Sequence, residues 1–356
     1  MRFEPWSLAD LDGVERNGLR VVSTFSGCGG SSLGYRLAGF DVVFASEFVP
    51  LAAETYRLNS PTVEVDERDI RTLSGHELRD RFGEIDLLDG SPPCASFSTA
   101  GRRSADWGKT KAYSGRMQRT DDLFDEYCRI VEELRPRSFV AENVAGFASG
   151  VAVGYARRTI ARLRAAGYHV QARVLDAQWL GVPQARRRTI ILGVRTDVGP
   201  PPTFPAPQPD RVSIREALGD HIRGQIEAQS DGTGGFDVKG RRRSPHLPSA
   251  TILVGTYGGN GRYPSSIVFA PEEPDPETGY DSAQQRKGRA RAAFPNESLR
   301  FLHLSEVRRI QSFPDDFVLT GSHAQRWERL GRAVPPLMMA AVAGQLAPIL
   351  TGVPVS

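Results

Sequence analysis

The chain has 356 residues, 40% of them apolar and 24% charged, with a net charge of +3. That is ordinary for a soluble globular protein, and the length allows one large domain plus a smaller one. Three cysteines, Cys28, Cys94 and Cys128, lack metal-type spacing, which argues against a disulfide framework or zinc site and for a reducing, cytoplasmic setting. No run of about 18 apolar residues is expected to span a membrane, and residues 1–12 lack the regions of a signal peptide.

Leu19 to Phe25 reads as a strand that breaks into Ser26-Gly-Cys-Gly-Gly-Ser-Ser-Leu-Gly34 and then a short helix. Strand, glycine turn and helix make the first unit of a nucleotide-binding sheet, in which backbone N–H groups approach the ligand. Asp41 to Glu47 is a second strand ending in an acid, about 20 residues after the turn, where a carboxylate can accept both hydroxyls of a ribose. Phe48 can lie against a flat base. After a helix over 50–58, Asp69 stands at another strand end, placed to accept from an adenine amino group.

The run Ile85 to Leu88 reads as a buried strand, and Gly90-Ser-Pro-Pro as the sharp turn leaving its carboxyl end. Pro92 and Pro93 fix the backbone and hold Cys94 rigidly in the crevice where an open α/β sheet collects its ligands. A rigid, partly exposed cysteine there is a nucleophile candidate; the plainer alternative is a buried structural thiol. From Gly101 to Arg119 the chain carries Arg102, Arg103, Lys109, Lys111, Arg116 and Arg119 against a single acid, Asp106. Such a long basic segment suits a binding loop or lid over a phosphate backbone.

Leu123, Tyr127, Ile130, Val131 and Leu134 recur at helical spacing until Pro136 stops the helix, and Cys128 falls among them as a core residue. Ser138 to Val144 is another buried strand, and its Glu142 calls for a partner or a task. Glu142 and Cys94 are expected at one sheet edge. A helix over 154–166 and a strand near 170–175 follow. In Gln184-Ala-Arg186-Arg187-Arg188, alternation along an extended stretch would put Gln184, Arg186 and Arg188 on one face and Arg187 on the other.

Six prolines within residues 199–209 mark a boundary. Beyond it, to about residue 317, periodicity is weak; strands are expected at 251–255 and 266–269 in a small irregular domain with one basic face. Ser305 is expected to cap a helix through Ile310, and an apolar helix over 337–350 is expected to return to the first domain.

Taken in order, these stretches resemble the DNA (cytosine-5) methyltransferases from about residue 20 to 350: Phe25-Ser-Gly-Cys-Gly-Gly30, Glu47, Asp69-Ile70, Gly90-Ser-Pro-Pro-Cys94, Glu142-Asn143-Val144, Gln184-Ala-Arg186-Arg-Arg188, the segment Arg308 to Pro314, and Gly331-Arg-Ala-Val-Pro-Pro336. The resemblance implies an α/β, Rossmann-like domain dependent on S-adenosylmethionine over 1–199 and 322–356. A target-recognition domain would occupy 200–321, with double-stranded DNA bound between the two. Phe25, Ser26, Gly27, Gly29, Gly30, Glu47, Phe48, Asp69, Ile70, Pro92, Leu123 and Val334 would hold the cofactor, and no metal is implied. Ser96, Arg102, Arg103, Gln184 and Arg188 would contact DNA. The family usually has Asn where this chain has Arg332.

The chemistry implied is attack of the Cys94 thiolate on C6 of a flipped cytosine, with Pro93 and Asn143 in support. Glu142 would act at N3, and Arg186 would hold the base or the thiolate's charge. A monomer is implied, serving a bacterial restriction-modification system beside a cognate endonuclease. The alternatives are a tRNA cytosine methyltransferase, a homologue that binds DNA without catalysis, and, last, a nicotinamide oxidoreductase.

Overall fold

The computed structural model describes residues 4–93, 111–113, 116–118, 122–148, 152–226, 229–230, 236–237, 242–253, 267–280 and 294–352. The chain divides into two compact units: a sheet unit of residues 11–175, 187–206 and 339–356, and a second unit of 1–10, 176–186 and 207–338. By packing, therefore, residues 176–186 and 322–338 group with the second unit rather than with the sheet.

The sheet unit runs β1 (Arg20–Thr24), α1 (Gly30–Leu37), β2 (Asp41–Ser46), α2 (Pro50–Asn59), β3 (Glu64–Asp66), α3 (Gly75–Phe82) and β4 (Leu87–Gly90). A short antiparallel pair follows, β5 (Lys111–Tyr113) with β6 (Arg116–Gln118). Then come α4 (Leu123–Leu134), β7 (Ser138–Val144), α5 (Val153–Ala165), β8 (Tyr168–Asp176) and β9 (Arg187–Arg195). Strand order is β3-β2-β1-β4-β7-β9-β8. Strands β3, β2, β1, β4 and β7 are parallel, and β9 pairs antiparallel with β7. The chain builds outward from β1 to β3, then returns to place β4 on the other side of β1. The carboxyl ends of β1 and β4 thus flank the switch point of the sheet, where an open α/β fold binds its ligands.

These strands form because Val21, Val22, Leu87, Leu88, Phe139 and Val140 are all fully buried, as parallel strands covered on both faces require. Helix α4 buries Leu123, Phe124, Tyr127, Cys128, Ile130, Val131 and Leu134 as one face. It ends at Arg135, in the left-handed conformation just before Pro136. Tyr127 closes on the end of β4, where a Cβ at Gly90 would lie 2.4 Å from the Tyr127 ring. Only glycine fits there, so the Tyr127 ring lies directly on that face of β4.

The second unit holds α6 (Ile214–Leu218), β10 (Gln225–Ile226), the pair β11 (Gln229–Ser230) and β12 (Phe236–Asp237), β13 (Arg242–Arg243), β14 (Ile267–Phe269), β15 (Leu299–Phe301), α7 (Leu304–Ile310) and α8 (His323–Arg332). Its four-stranded sheet, β13-β10-β14-β15, is antiparallel and packs a small core of Ile226, Ile267, Phe269 and Leu299. Of the two strands expected here, β14 forms at 267–269, but Thr251 to Leu253 is not a strand. Side chains replace the ladder: Gln184 Oε1 accepts from Ile252 N at 3.1 Å, and Trp327 Nε1 donates to Leu253 O at 3.1 Å. The cap of α7 is His303 rather than Ser305, because Glu306 reaches back to accept from His303 N at 2.8 Å.

Helix α9 (Pro336–Thr351) forms where the apolar helix over 337–350 was expected, and the helical stretch 323–351 is long and apolar enough to cross a membrane. Burial accounts for its apolarity, since Met338, Met339, Val342, Ala343, Leu346 and Leu350 are at most 3% exposed.

Candidate active site

Four loops leave the carboxyl edge of the sheet unit, and each carries expected site residues. The turn after β1 is splinted by Glu47, which is buried at the end of β2. Its Oε2 accepts from Gly27 N and its Oε1 from Val49 N, both at 2.7 Å. Phe25 takes a positive φ of 51° and Gly29 one of 99°, so the turn is held in a conformation that side chains resist. Ser26 Oγ donates to Ser23 O at 2.9 Å, and Phe48 lies half-buried next to Glu47.

Asp69 ends the next loop and caps the turn Ile70–Thr72, accepting from Arg71 N at 3.0 Å. The Arg71 guanidinium bridges Asp69 and Asp122, the latter at 2.6 Å. Ile70 and Leu123 belong to the same buried cluster, against which Phe25 packs. Of the expected cofactor residues, the fold therefore brings Phe25, Ile70 and Leu123 together. Val334 belongs to the second unit.

Cys94 and, beyond it, Ser96, Arg102 and Arg103 lie outside the described residues. The stem that leads to Cys94 is described, and it is tied down. Asn143 Nδ2 donates to Pro92 O at 3.1 Å, while Asn143 Oδ1 accepts from Val144 N at 2.9 Å. Both Pro92 and Asn143 are buried. The residue after Glu142 thus fastens the backbone two residues before Cys94.

Glu142 is 8% exposed and forms an ion pair with Arg188, Nε to Oε1, at 2.8 Å. The register of β7 against β9 pairs Val144 with Arg188, so Glu142 and Arg188 are diagonal neighbours on one sheet face. Burial works against the charge on Arg188 and lowers its pKa, and Glu142 opposes that shift. The pair is a desolvated carboxylate and guanidinium at the open edge of the sheet, able to present both acceptor and donor atoms to a planar polar ring.

Gln184 and Arg186 group with the second unit and Arg188 with the sheet unit. The sheet strand begins only at Arg187, and Gln184 instead forms a parallel bridge with Ser249, whose O accepts from Ala185 N. Arg186 is fully buried in the second unit, where its guanidinium donates to Ile252 O at 3.2 Å, Gly331 O at 2.8 Å and Ala333 O at 2.9 Å. Gln184 is also fully buried there, with Oε1 on Ile252 N. Arg332 pairs with Glu328 one helical turn back, Nη2 to Oε1 at 2.8 Å.

Sequence reasoning passed over Asp89. It is 1% exposed, accepts from Ser23 Oγ and Tyr35 OH at 2.8 Å each, and its carbonyl accepts from Thr24 Oγ1. The rule that singled out Glu142, a carboxylate inside an apolar run, applies equally to Leu87-Leu88-Asp89 and would have found it.

The profile of a family described as C-5 cytosine-specific DNA methylase matches residues 19–347. The Type II methyltransferase M1.HphI of Haemophilus parahaemolyticus is 32% identical over 332 residues, covering 91% of this chain and 86% of the relative. The Type II methyltransferase M.MthTI of Methanothermobacter thermautotrophicus is 29% identical, covering 94% of this chain and 98% of the relative. Among solved structures, a DNMT2 variant of Spodoptera frugiperda matches with a TM-score of 0.64 at 20% identity, over 92% of this chain and 99% of that one.

Proposed function

We propose that this chain, which belongs to the family of C-5 cytosine-specific DNA methylases and transfers a methyl group to C5 of cytosine in DNA, does so with Cys94 as nucleophile, Glu142 as acid and Arg188 as the arginine of the site. The observation that carries this reading is the buried Glu142–Arg188 pair at 2.8 Å, on the strand whose Asn143 fastens the stem of Cys94.

C5 of cytosine is a poor nucleophile. Addition of the Cys94 thiolate to C6 pushes electron density to C5, and a hydrogen bond or proton from Glu142 at N3 relieves the charge developing on the ring. Arg188 holds Glu142 in place and offers further donors to the ring's carbonyl edge. This assigns to Arg188 the base-holding role expected of Arg186, whose guanidinium is engaged by three backbone carbonyls. Once C5 has taken the methyl group, its proton is lost to solvent as the C6–S bond breaks and returns its electron pair to Cys94, and N3 gives its proton back to Glu142, so the aromatic ring is restored.

S-adenosylmethionine, the cofactor of this chemistry, supplies the methyl group when bound. The residues present suit it. The glycine turn exposes backbone beside the Glu47 carboxylate, the natural acceptor for ribose hydroxyls. Phe25 over the Ile70 and Leu123 cluster offers an apolar wall for an adenine, with Asp69 at its rim. The reacting carbon is inaccessible in a duplex, so the cytosine is flipped out, and the basic segment from 95 to 119, with Ser96, Arg102 and Arg103, carries the charge that suits the DNA backbone. The second unit reads the target sequence. The named relatives are Type II methyltransferases, which supports a modification enzyme of that type; action as a monomer beside a cognate endonuclease is part of the proposal.

Bisulfite sequencing of DNA from a methylation-free host that expresses the chain tests this. The expected result is protected cytosines in one short motif, lost on Cys94→Ser. Full conversion in both, with soluble protein, would overturn the reading.

A further inference from the structure

Asp89 sits where the mechanism above has no use for it, and its surroundings are unusually well defined. In the sheet, β4 lies between β1 and β7, with Ser23 opposite Asp89 and Asp89 opposite Val140. Side chains alternate along a strand, so Glu142, two residues past Val140, points to the same face as Asp89, one strand over and roughly 8 Å away diagonally. Arg188 continues that row on β9. One face of the sheet edge thus carries Ser23, Asp89, Glu142 and Arg188 across four adjacent strands, with Tyr35 of α1 covering Asp89.

The groups facing Asp89 are Ser23 on β1, Tyr35 on α1, Tyr56 on α2 and, on β7, Glu142, whereas Tyr127 lies on the opposite face of β4 against Gly90. Burial raises the pKa of both facing phenols, so they remain neutral. Arg188, the cation of the row, is paired with Glu142 rather than with Asp89. Two hydroxyls aimed at one buried carboxyl favour its ionised form, whereas burial and the charge of Glu142 oppose it.

We propose that Asp89 is a positioning residue that acts through Glu142: its charge, held by Ser23 and Tyr35, favours the protonated Glu142 that serves N3 of the cytosine. Two carboxylates on one buried face do not both ionise freely, so the proton resides preferentially on one of them. Ser23 and Tyr35 give Asp89 two donors, and Glu142 is the member of the pair that a base can reach. Burial and the charge of Glu142, opposed by those hydroxyls, push Asp89 up to about 7, so above that range its own charge falls on Glu142. Coupling is reciprocal: whatever Glu142 does to the proton affinity of Asp89, Asp89 does to that of Glu142.

The inference rests on the proposed roles of Cys94 and Glu142, and its test keeps the two apart. Radiolabelled methyl transfer from S-adenosylmethionine into unmethylated genomic DNA is measured as kcat between pH 5.5 and 9 for the full chain. The wild type is expected to lose activity on the alkaline side as Glu142 gives up its proton. Asp89→Asn should move that limb to lower pH by about one unit, with the KM for S-adenosylmethionine little changed. Tyr35→Phe removes one donor and should move it the same way by less; it carries the test if Asp89→Asn does not fold. Profiles that superimpose on the wild type, or that fall by one factor at every pH, would overturn the proposal and leave Asp89 a structural residue. Transfer that survives Cys94→Ser would instead overturn the reading of the site itself.

Discussion

The two units solve the same problem, holding buried polar groups in place, by different means. In the sheet unit the backbone ladder does the holding, and polar side chains such as Glu142, Arg188 and Asp89 emerge at positions fixed by strand register. In the second unit the strands among the described residues are two or three residues long, and side chains hold the backbone. Arg186 gathers three carbonyls from two segments, Gln184 takes the N–H of Ile252, and Arg300 forms a double hydrogen bond with Glu306 at 2.7 Å. The same residue type therefore means chemistry at one place and architecture at another, and the sheet unit too has arginines of the second kind, such as Arg129 on Ile70 O and Leu73 O. Arg186 and Arg188, two positions apart, stand on opposite sides of that division.

The sharpest way to break the comparison is to mutate for shape alone. Glu142→Gln keeps the size and an acceptor for Arg188 but removes the acid. It should cut kcat by roughly 10²–10⁴, the usual worth of a general acid, while thermal unfolding stays within a few degrees of wild type. A variant that loses stability in proportion to activity would make Glu142 architecture after all. The next largest contrast uses one substitution at both arginines. Arg188→Lys keeps the charge but loses the planar fork, and should lower kcat on the order of 10²-fold with the fold intact. Arg186→Lys cannot reach three carbonyls on two segments, and should cost about 3 kcal/mol in denaturant unfolding. Interchanged phenotypes would reverse the assignment of the two residues.

How much of this was legible follows from the same contrast. The helical spacing of Leu123 to Leu134 and the strand that carries Glu142 are local patterns, and the fold realises them where the residues predict. Parallel strands are apolar throughout, so a carboxylate in one is conspicuous. The placement of Arg186 was not legible, because the carbonyls that engage it, on Ile252, Gly331 and Ala333, are distant in sequence. Nor could residues 251–253 be read, since hydrogen bonds from Gln184 and Trp327, distant in sequence, stand in for a ladder. The pairing of Asp89 with Tyr35 likewise depends on how α1 packs on the sheet, which no local pattern carries.

Asn143 lies between the two cases, and the smallest predicted effect is also the most discriminating. Its amide donates to Pro92 O and accepts from Val144 N, so it is a tether of the kind that dominates the second unit, placed at the chemical edge of the sheet unit. Asn143→Ala leaves a buried carbonyl without that donor and should cost roughly 1–2 kcal/mol in denaturant unfolding. If the tether is only architecture, activity corrected for folded fraction stays at the wild-type level. If it sets where Cys94 meets the base, kcat falls beyond the stability loss, by about tenfold, because small displacements of a nucleophile are felt steeply in rate. Asn143→Asp, which keeps the Val144 contact but offers Pro92 O no amide donor, should share the kcat defect. Full activity in both variants would show that Pro92 and Pro93 alone hold the stem of Cys94.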